Sequence, residues 1–496
     1  MTARDRLVIY LILASAFVVM LNETIIGVAL PKIMEELHVE PANAQWLLTA
    51  FMLTMAVVIP LSGFFLRRFT TRQVYLAAIG LFCVGTLIAA LAPGFLVLLV
   101  ARVVQAAGTG VMVPLLMTSI MTLVPPHERG KMMGNITIVM SVAPALGPLA
   151  AGLILNSLDW RWVFWTVLPI GIAALAIGFA KMENVGETER VRVDVLSIPL
   201  SAIAFGGLVY GLSEIANAVR GEVPVQPWIP IVVGAIALGL FVWRQLVLQR
   251  RDAALMDLRT FAQRGFPVAI GLLALVVAVL FGAIILLPIY IQDGLGLEPI
   301  VSGLAVLPGG LLQGLAGPFV GRLYDRFGPR PLLVPAAILI IAALTGFAVF
   351  LGDGTPIWVV IGLHVMLSVG LAFTFPPLMN SAMGSLPPQL YPSGSAVVGT
   401  SQQLFGAAGT AALIVVFTLA STAARAGGAS AEAAVVAGTH VAFTWAAMLS
   451  VGILILALFV RRPASELGHG AGHGEHAPEH DLEFPEGMTT ARGALD

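Results

Sequence analysis

Charged residues are scarce in this chain of 496 residues: Asp, Glu, Lys and Arg together make up 11% of it. A set of soluble domains of this length would need surfaces rich in charged and polar side chains, and almost no segment of the chain has one. The formal net charge is −1 and no basic domain or arm stands out, so nothing indicates a nucleic-acid partner. The composition therefore excludes an ordinary soluble protein.

Cysteine and the common catalytic motifs are also lacking. Cys83 is the single cysteine, which excludes an intrachain disulfide and implies no metal cluster. The pattern Gly-x4-Gly-Lys-Ser/Thr does not occur, so nothing would hold the phosphates of ATP and a pump driven by ATP is disfavoured. The apolar runs contain no set of metal ligands and no nucleophile–base pair, which makes a membrane enzyme a minor alternative. We expect no cofactor.

Long hydrophobic runs dominate what is present. Hydrophobic residues make up 58% of the chain and the mean hydropathy is +0.95. The runs are about 18 to 25 residues long, which is the length that a helix needs to cross about 30 Å of hydrocarbon. We predict fourteen transmembrane helices, of which the seventh and eighth have the weakest pattern. The predicted starts lie near Leu7, Ala44, Val74, Phe95, Lys131, Arg161, Val195, Trp228, Gly265, Pro299, Pro331, Pro356, Val397 and Gly438.

Basic residues are distributed unequally between the two sides of the predicted bundle. On this assignment 21 of the 26 Lys and Arg residues fall on the side that carries both termini, four fall on the opposite side, and Arg102 lies inside a span. Loops rich in Lys and Arg stay in the cytoplasm. We therefore predict a multi-pass protein of the cell (inner or plasma) membrane with both termini cytoplasmic.

One pattern occurs twice, 258 positions apart. In each copy a Glu-Pro pair precedes an apolar run, and the run ends in a short basic loop, residues 63–72 in the first copy and 321–330 in the second. Two copies of one helical bundle are typical of transporters, whose halves rock about a central site.

The repeat divides the chain into four predicted regions. Residues 1–185 and 264–462 are expected to form two six-helix bundles, and residues 186–263 to hold the inserted seventh and eighth helices with their flanking loops. Residues 463–496 are rich in histidine and acidic residues and are expected to form a disordered cytoplasmic tail, in which no metal site is fixed.

Several short motifs follow one another in a characteristic order. They are residues 21–31 in the first predicted helix, 102–110 in the fourth, 134 and 143–148 in the fifth, 160–164 at the start of the sixth, 287–292 at the end of the ninth and 321–330 after the tenth. In this set the chain resembles the major facilitator superfamily, and within it the fourteen-helix drug/proton antiporters of the QacA/EmrB type. Asn22, Glu23 and the loop at 67–72 are most similar to the lincosamide-resistance branch.

The resemblance extends over residues 4–462 and implies both a fold and a function. The implied fold is an all-α integral membrane protein with the major facilitator fold, two six-helix bundles plus two inserted linker helices. The implied function is a secondary transporter, driven by the proton gradient, that exports amphipathic drugs or related small molecules by alternating access.

A carboxylic acid lies deep in the first predicted helix. Glu23 is about seven residues, or roughly 10 Å, from the external end of that helix. A charge in hydrocarbon is costly, so this carboxyl must face a cavity or a partner, or remain protonated. Arg102 of the fourth helix lies at a matching depth, which makes the two residues a candidate switchable pair. The alternatives are a permanently paired structural carboxylate and an arginine that bonds backbone carbonyls.

The resemblance adds further candidates for proton coupling. It implicates Arg102 and Gln105 of the fourth helix, whereas the family aspartate of the first helix is replaced here by Asn22, one residue before Glu23. His364 of the twelfth helix is a weaker candidate, and a core histidine with satisfied hydrogen bonds is its alternative.

The second basic loop matches the gating loop of the family, in which an acid interacts with arginines and with a helix N-terminus when the cytoplasmic side is closed. In the first copy Arg67 stands at the position of the acid and Thr70 replaces the glycine, so the first latch is altered. The matching residues of the second copy are Gly321, Arg322, Asp325 and Arg326.

The fifth helix carries a motif that the family associates with export, and a simple packing kink is the alternative interpretation. Its residues are Pro144, Gly147, Pro148 and Gly152. We expect three amide side chains to line the substrate cavity, namely Asn22, Gln402 and Gln403.

The near absence of buried charge predicts apolar cavity walls, which bind varied hydrophobic or amphipathic molecules with little selectivity. A lipid translocase or an exporter of a dedicated metabolite would use the same fold, while an uptake symporter is less favoured. We expect the partners to be such small molecules, protons and the bilayer, and we expect the transporter to act as a monomer.

Overall fold

A computed structural model describes residues 2–184, 194–215, 218, 225–251 and 253–462 of the chain. Within these ranges all regular secondary structure is helical. The histidine-rich segment 463–496 lies outside the described residues.

Fourteen apolar helices follow one another along the described residues. Thirteen of them are long and apolar enough to cross a bilayer, and α7 is a shorter apolar helix with a π-helical turn at Ala202–Gly206. In chain order they are α1 (Ala3–Leu37), α2 (Trp46–Arg68), α3 (Thr71–Ala90), α4 (Phe95–Leu123), α5 (Arg129–Leu155), α6 (Arg161–Lys181), α7 (Ser197–Ser213), α8 (Trp228–Leu248), α9 (Phe266–Ile289), α10 (Pro299–Phe327), α11 (Arg330–Phe350), α12 (Ile357–Gly384), α13 (Tyr391–Ala426) and α14 (Ala431–Phe459).

The last two helices of the chain begin earlier than the sequence analysis predicted. Helix α13 begins at Tyr391 rather than near Val397, and α14 begins at Ala431 rather than near Gly438. Hydropathy detects the apolar centre of a span, whereas the backbone remains helical through small and polar residues at its end. The side chain of Ser430 starts α14 by accepting a hydrogen bond from the backbone N–H of Ala433 at 3.1 Å.

The two copies of the repeat begin their next helix by different devices. After α2, the Thr70 hydroxyl accepts from the Gln73 backbone N–H at 3.3 Å, and the Gln73 side chain accepts from the Thr70 N–H at 3.1 Å. This capping box starts α3. After α10, Gly328 has φ +80°, a conformation that favours glycine. The threonine at the family glycine position therefore has a structural reason.

The helices pack in two groups joined by a pair. Helices α1 to α6 contact one another, chiefly α3 with α4 and α1 with α5, and helices α9 to α14 do the same, chiefly α10 with α12 and α11 with α14. Helices α7 and α8 pack on each other, and α7 also contacts α2 and α13. The exact region boundaries stay a prediction.

The two groups meet most extensively where α5 crosses α10. A Cβ atom at Gly134 would clash with the Gly317 carbonyl, and one at Gly317 would clash with the Gly134 carbonyl; Gly130 and Gly321 are related in the same way. Glycine at these positions lets the two backbones touch. Helix α5 begins, and α10 ends, on the side where α1 begins, which we call the N-face. The crossing therefore joins the two groups at the N-face.

Candidate functional site

A fully buried arginine lies at the centre of the first helix group. The Arg102 guanidinium on α4 donates one hydrogen bond to Gln105 Oε1 at 3.1 Å and another to the Leu47 backbone carbonyl of α2 at 3.3 Å. Its Cζ atom lies 4.0 Å from the centre of the Phe51 ring, within range of a cation–π interaction. The charge is thus held by a carbonyl, an amide and an aromatic face.

Gln105 extends this contact into a network between four helices. Its side-chain amide donates to Thr86 Oγ1 of α3 at 2.9 Å and to Asn22 Oδ1 of α1 at 3.4 Å. Gly85 allows this arrangement, because a Cβ there would lie 2.6 Å from the Gln105 backbone nitrogen. The Asn22 Nδ2 atom is buried and has no hydrogen-bond partner among the described residues.

Glu23 is the next residue on α1 and is only half-buried. In the part of the chain that the structure describes it has no side-chain hydrogen bond and no ion pair within 4 Å. Glu23 and Arg102 therefore form no hydrogen bond or ion pair with each other in this structure. The Leu47 contact shows that Arg102 does bond a backbone carbonyl, and it does so deep inside the protein.

His364 belongs to a different neighbourhood in the second helix group. Its Nδ1 atom lies 3.4 Å from Ser368 Oγ on the same helix, and the ring packs against Gly309 of α10. No hydrogen bond within the described residues joins it to the network around Arg102.

The motif on α5 lies against the helix that carries Glu23. A Cβ at Gly147 would clash with the Thr24 hydroxyl of α1, so the glycine permits a close approach beside Glu23. Pro144 is half-buried, and a Cβ at Gly152 would meet no other atom within 4 Å. The Pro148 side chain lies outside the described part of the structure.

The gating loop of the second copy contacts the start of α5. Asp325 accepts hydrogen bonds from the Gly130 N–H at 2.8 Å and the Lys131 N–H at 3.1 Å, so its carboxylate lies at the N-terminus of the helix. Gly321 packs on Gly130 one turn earlier. The two arginines of the motif are exposed and form no hydrogen bond or ion pair with α5 among the described residues: Arg322 donates to the Pro318 carbonyl and Arg326 lies over the Phe327 ring.

Sequence reasoning missed the groups that complete the site. Leu47, Phe51 and Thr86 belong to no motif, and Thr24 lies within the motif at 21–31 without being singled out by it. A carbonyl or ring becomes a partner only when the helices are packed. The Arg102–Gln105 pair was predictable from the sequence, because residues three apart lie on one helix face. Gln402 and Gln403 lie half-buried on α13, in the second helix group.

Residues 12–410, most of the chain, match one protein family, the Major Facilitator Superfamily. The chain belongs to the major facilitator superfamily. The family consists of transporters, so the prediction that this protein transports rather than catalyses is confirmed.

Similar proteins agree with this membership. The lincomycin resistance protein LmrB of Listeria monocytogenes serovar 1/2a is 38% identical over 455 residues, which cover 91% of this chain and 95% of that protein. The LmrB protein of Bacillus subtilis (strain 168) is 38% identical over 457 residues, with the same coverage. The crystal structure of the human organic anion transporter MFSD10 (TETRAN) has a TM-score of 0.64 at 16% identity and covers 92% of this chain and 100% of that chain. The predicted fold class is therefore confirmed.

Two apolar cavities of this major facilitator protein lie beside the inserted helices. One, of about 300 Å³, lies between α2 and α7, and its lining includes the stacked rings of Trp46 and Tyr210, whose centres are 5.9 Å apart. The other, of about 150 Å³, lies between α7, α8 and α13, and its lining includes Thr400 and Ser401. Among the described residues no group of three or more His, Cys, Asp and Glu side chains is placed to hold a metal ion.

Proposed function

We propose that this transporter exports amphipathic drugs in exchange for protons, by alternating access, with the N-face in the cytoplasm. The observation that carries the proposal is the state of Glu23. It is a half-buried carboxyl inside an apolar bundle, it has no fixed partner among the described residues, and it adjoins the network that holds Arg102. A carboxyl that no ion pair holds in the charged form is able to take up and release a proton during a cycle.

Proton binding to Glu23 removes the negative charge that faces Arg102. The guanidinium keeps its hydrogen bonds and its ring contact, but the long-range attraction between α1 and α4 is lost. Helix α1 also touches α5 through Thr24 and Gly147, and α5 forms the N-face contact with α10. A movement of α1 is therefore transmitted to the helix crossing at the N-face.

The proton gradient supplies enough free energy for such a cycle. At a membrane potential of about 150 mV, one charge that moves inward releases roughly 3.5 kcal/mol. Because about 1.4 kcal/mol corresponds to a tenfold concentration ratio, one proton sustains a roughly few-hundred-fold gradient of a neutral solute.

The test is transport of lincomycin, chosen because two similar proteins are lincomycin resistance proteins. Purified protein is placed in sealed proteoliposomes with an imposed pH gradient, and lincomycin and protons are followed together. Glu23→Gln removes the proton site with little change in shape. Glu35→Gln, at an exposed position of the same helix, is the matched control.

We expect the parent and Glu35→Gln to exchange lincomycin for protons, and Glu23→Gln to lose transport driven by the gradient. Normal coupling in Glu23→Gln would contradict the role of Glu23. Movement of lincomycin and protons in the same direction would contradict export and indicate a symporter.

Lipid export is a second candidate, favoured by the apolar cavity between α2 and α7. A lipid acyl chain fits such walls, and the Trp46–Tyr210 pair is of the kind that lies at the level of lipid headgroups. The same proteoliposomes test it with a fluorescent lipid whose outer-leaflet fraction is quenched. Lipid movement that depends on the gradient, without lincomycin movement, would favour this candidate.

A further inference from the structure

The second half of the protein has a carboxylate latch at the N-face. Asp325 follows Gly321 by one helical turn on α10 and accepts the first two free N–H groups of α5, those of Gly130 and Lys131. The latch requires an acid at the end of one helix and free backbone N–H groups at the start of the other.

The first half brings α2 and α13 together in the same geometry. A Cβ at Gly63 would lie 3.1 Å from the Pro392 carbonyl oxygen and 3.4 Å from Ser393 Cα. A Cβ at Gly321 would meet the corresponding atoms at the start of α5. Pro392 and Ser393, the second and third residues of α13, are therefore the counterparts of Gly130 and Lys131 of α5.

Both components of the latch are changed in this half. Arg67 stands where Asp325 stands in the other copy, and a guanidinium accepts no hydrogen bond. Pro392 has no N–H, so one of the two donors is also missing. The two-donor carboxylate latch of the other copy therefore cannot form at Arg67 and Pro392.

A segment from outside the repeat connects α2 and α13 where the carboxylate latch is missing. Residues 253–262, which connect α8 to α9 and which we call the strap, contact both helices. Arg67 is buried and its guanidinium donates to the Ala254 carbonyl. The Asp257 backbone N–H donates to Ser393 Oγ on α13 at 3.2 Å. The strap thus joins the end of α2 to the start of α13.

The inserted helices hold the strap in place through one buried side chain. Gln245 of α8 accepts hydrogen bonds from the Leu255 N–H at 2.7 Å and the Met256 N–H at 3.2 Å. Its amide group donates to Ser197 Oγ of α7 at 2.8 Å. Both Gln245 and Ser197 are fully buried, so three hydrogen bonds in a protected site tie the strap to α7 and α8.

We infer that the strap replaces the missing latch and that Gln245 and Arg67 are positioning residues for closure of the N-face in the first half. The inserted helices are then part of the gate, because they fix the segment that bridges α2 and α13. This inference rests on the proposed function only in that the N-face opens and closes during transport.

The test measures the gate directly. The single cysteine is removed by Cys83→Ala, and spin labels are attached to cysteines at two exposed N-face positions, Phe69 after α2 and Gln389 before α13. Electron paramagnetic resonance gives the distribution of distances between the labels in full-length protein. This readout needs neither substrate nor a proton gradient.

Two variants release the strap and each has a matched control. Gln245→Ala removes the three hydrogen bonds, and Gln249→Ala is its control, one turn further on, with a buried side-chain oxygen that has no partner among the described residues. Arg67→Ala removes the bond to Ala254, and Arg68→Ala is its control, because the same charge is lost at an exposed position.

We expect both strap variants to move the ratio of open to closed protein about tenfold toward long distances, the effect of losing about 1.4 kcal/mol. The controls should match the parent. If one variant does not fold, Ser393→Ala removes the far contact of the strap and is measured instead. Distributions equal to the controls in correctly folded variants would overturn the inference. Loss of lincomycin transport with an unchanged gate would instead concern the proposed function.

Discussion

The residues around Arg102 keep a full positive charge inside the bundle, and none of the described carboxylates forms an ion pair with it. A backbone carbonyl, an amide oxygen and the Phe51 ring face the guanidinium, and Gln105 links it to Asn22 and Thr86. Each neighbour supplies a partial negative charge, which lowers the cost of burial. The planar shape of the group matters as much as its charge.

Arg102→Lys tests this shape. Lysine keeps the charge, but a single ammonium group cannot reproduce the planar fork that reaches Gln105, Leu47 and the Phe51 face together. We expect gradient-driven lincomycin transport in proteoliposomes to fall by about tenfold or more. Arg68→Lys, at an exposed position, should behave like the parent. Full activity of Arg102→Lys would show that charge alone suffices.

Moving the acid by one position tests the direction in which it points. In the double variant Asn22→Asp with Glu23→Gln, the carboxylate stands at the family position, where the side chain is buried and receives the Gln105 amide. A carboxylate held there is buried against the Gln105 amide, so we expect it not to restore proton-coupled lincomycin exchange. Restored exchange would mean that proton access does not depend on the half-buried position of Glu23.

At this scale the sequence predicted the chemical types but not their contacts. Glu23 and Arg102 were recognised because charges in apolar helices are rare and costly. That they form no ion pair in the structure was not predictable, since residue spacing fixes depth along a helix but not the rotation of one helix against another. The Leu47 carbonyl and Phe51 carry no signal of their own for the same reason.

Among the elements, the crossing of α5 and α10 depends on glycines at which the backbones touch. Gly134→Ala places a methyl group against the Gly317 carbonyl, so we expect it to loosen the N-face contact and to lower the melting temperature in detergent. Gly152→Ala on the same helix meets nothing within 4 Å. It should be neutral or stabilising by about 0.5 to 1 kcal/mol, the helix preference for alanine. Equal melting temperatures of the Gly134→Ala and Gly152→Ala variants would contradict the close backbone contact at Gly134.

The inserted helices are joined by an ion pair before α7. Arg244 of α8 donates to both carboxylate oxygens of Asp194, at 2.7 and 2.5 Å. These hydrogen bonds hold the pKa of Asp194 below its ordinary value. A lowered pKa means that the stabilisation is present above the unfolded-state pKa, about 3.9, and is lost as the pH falls through the folded-state pKa.

Asp194→Asn should therefore destabilise the protein by about 1 to 2 kcal/mol at neutral pH, the worth of charged hydrogen bonds. The difference in melting temperature from the parent should shrink as the pH falls below about 4. Asp293→Asn, at an exposed position, provides the control. A difference that does not vary with pH would contradict the assigned cause.

Hydropathy predicted where the elements lie better than where they end. All fourteen predicted spans correspond to apolar helices, yet α13 and α14 begin earlier than predicted, because their first turns are small and polar. The strap was not predicted at all. Residues 253–262 have no repeat partner and no motif, and their role depends on contacts with α2, α8 and α13 that are distant in sequence.

For the molecule as a whole, closure of the N-face is expected to depend on Asp325. Asp325→Asn keeps the size of the side chain but removes the charge that interacts with the start of α5. We expect the open fraction, measured with spin labels on the N-face ends of α5 and α10, to rise several-fold. Asp353→Asn, in an exposed loop on the opposite side, should have no effect. An unchanged open fraction would show that the glycine crossing alone keeps the N-face closed.

The two N-face contacts differ in physical kind, and this sets an order of release. The contact at Asp325 is a charge against a helix dipole, which dissolved ions screen, whereas the strap is held by mostly neutral hydrogen bonds in a buried site, which they screen far less. Raising the ionic strength should therefore weaken the contact between α10 and α5 while α2 and α13 stay joined. The two copies of the repeat have matching helices, but the N-face of the protein is expected to open first at the contact between α5 and α10.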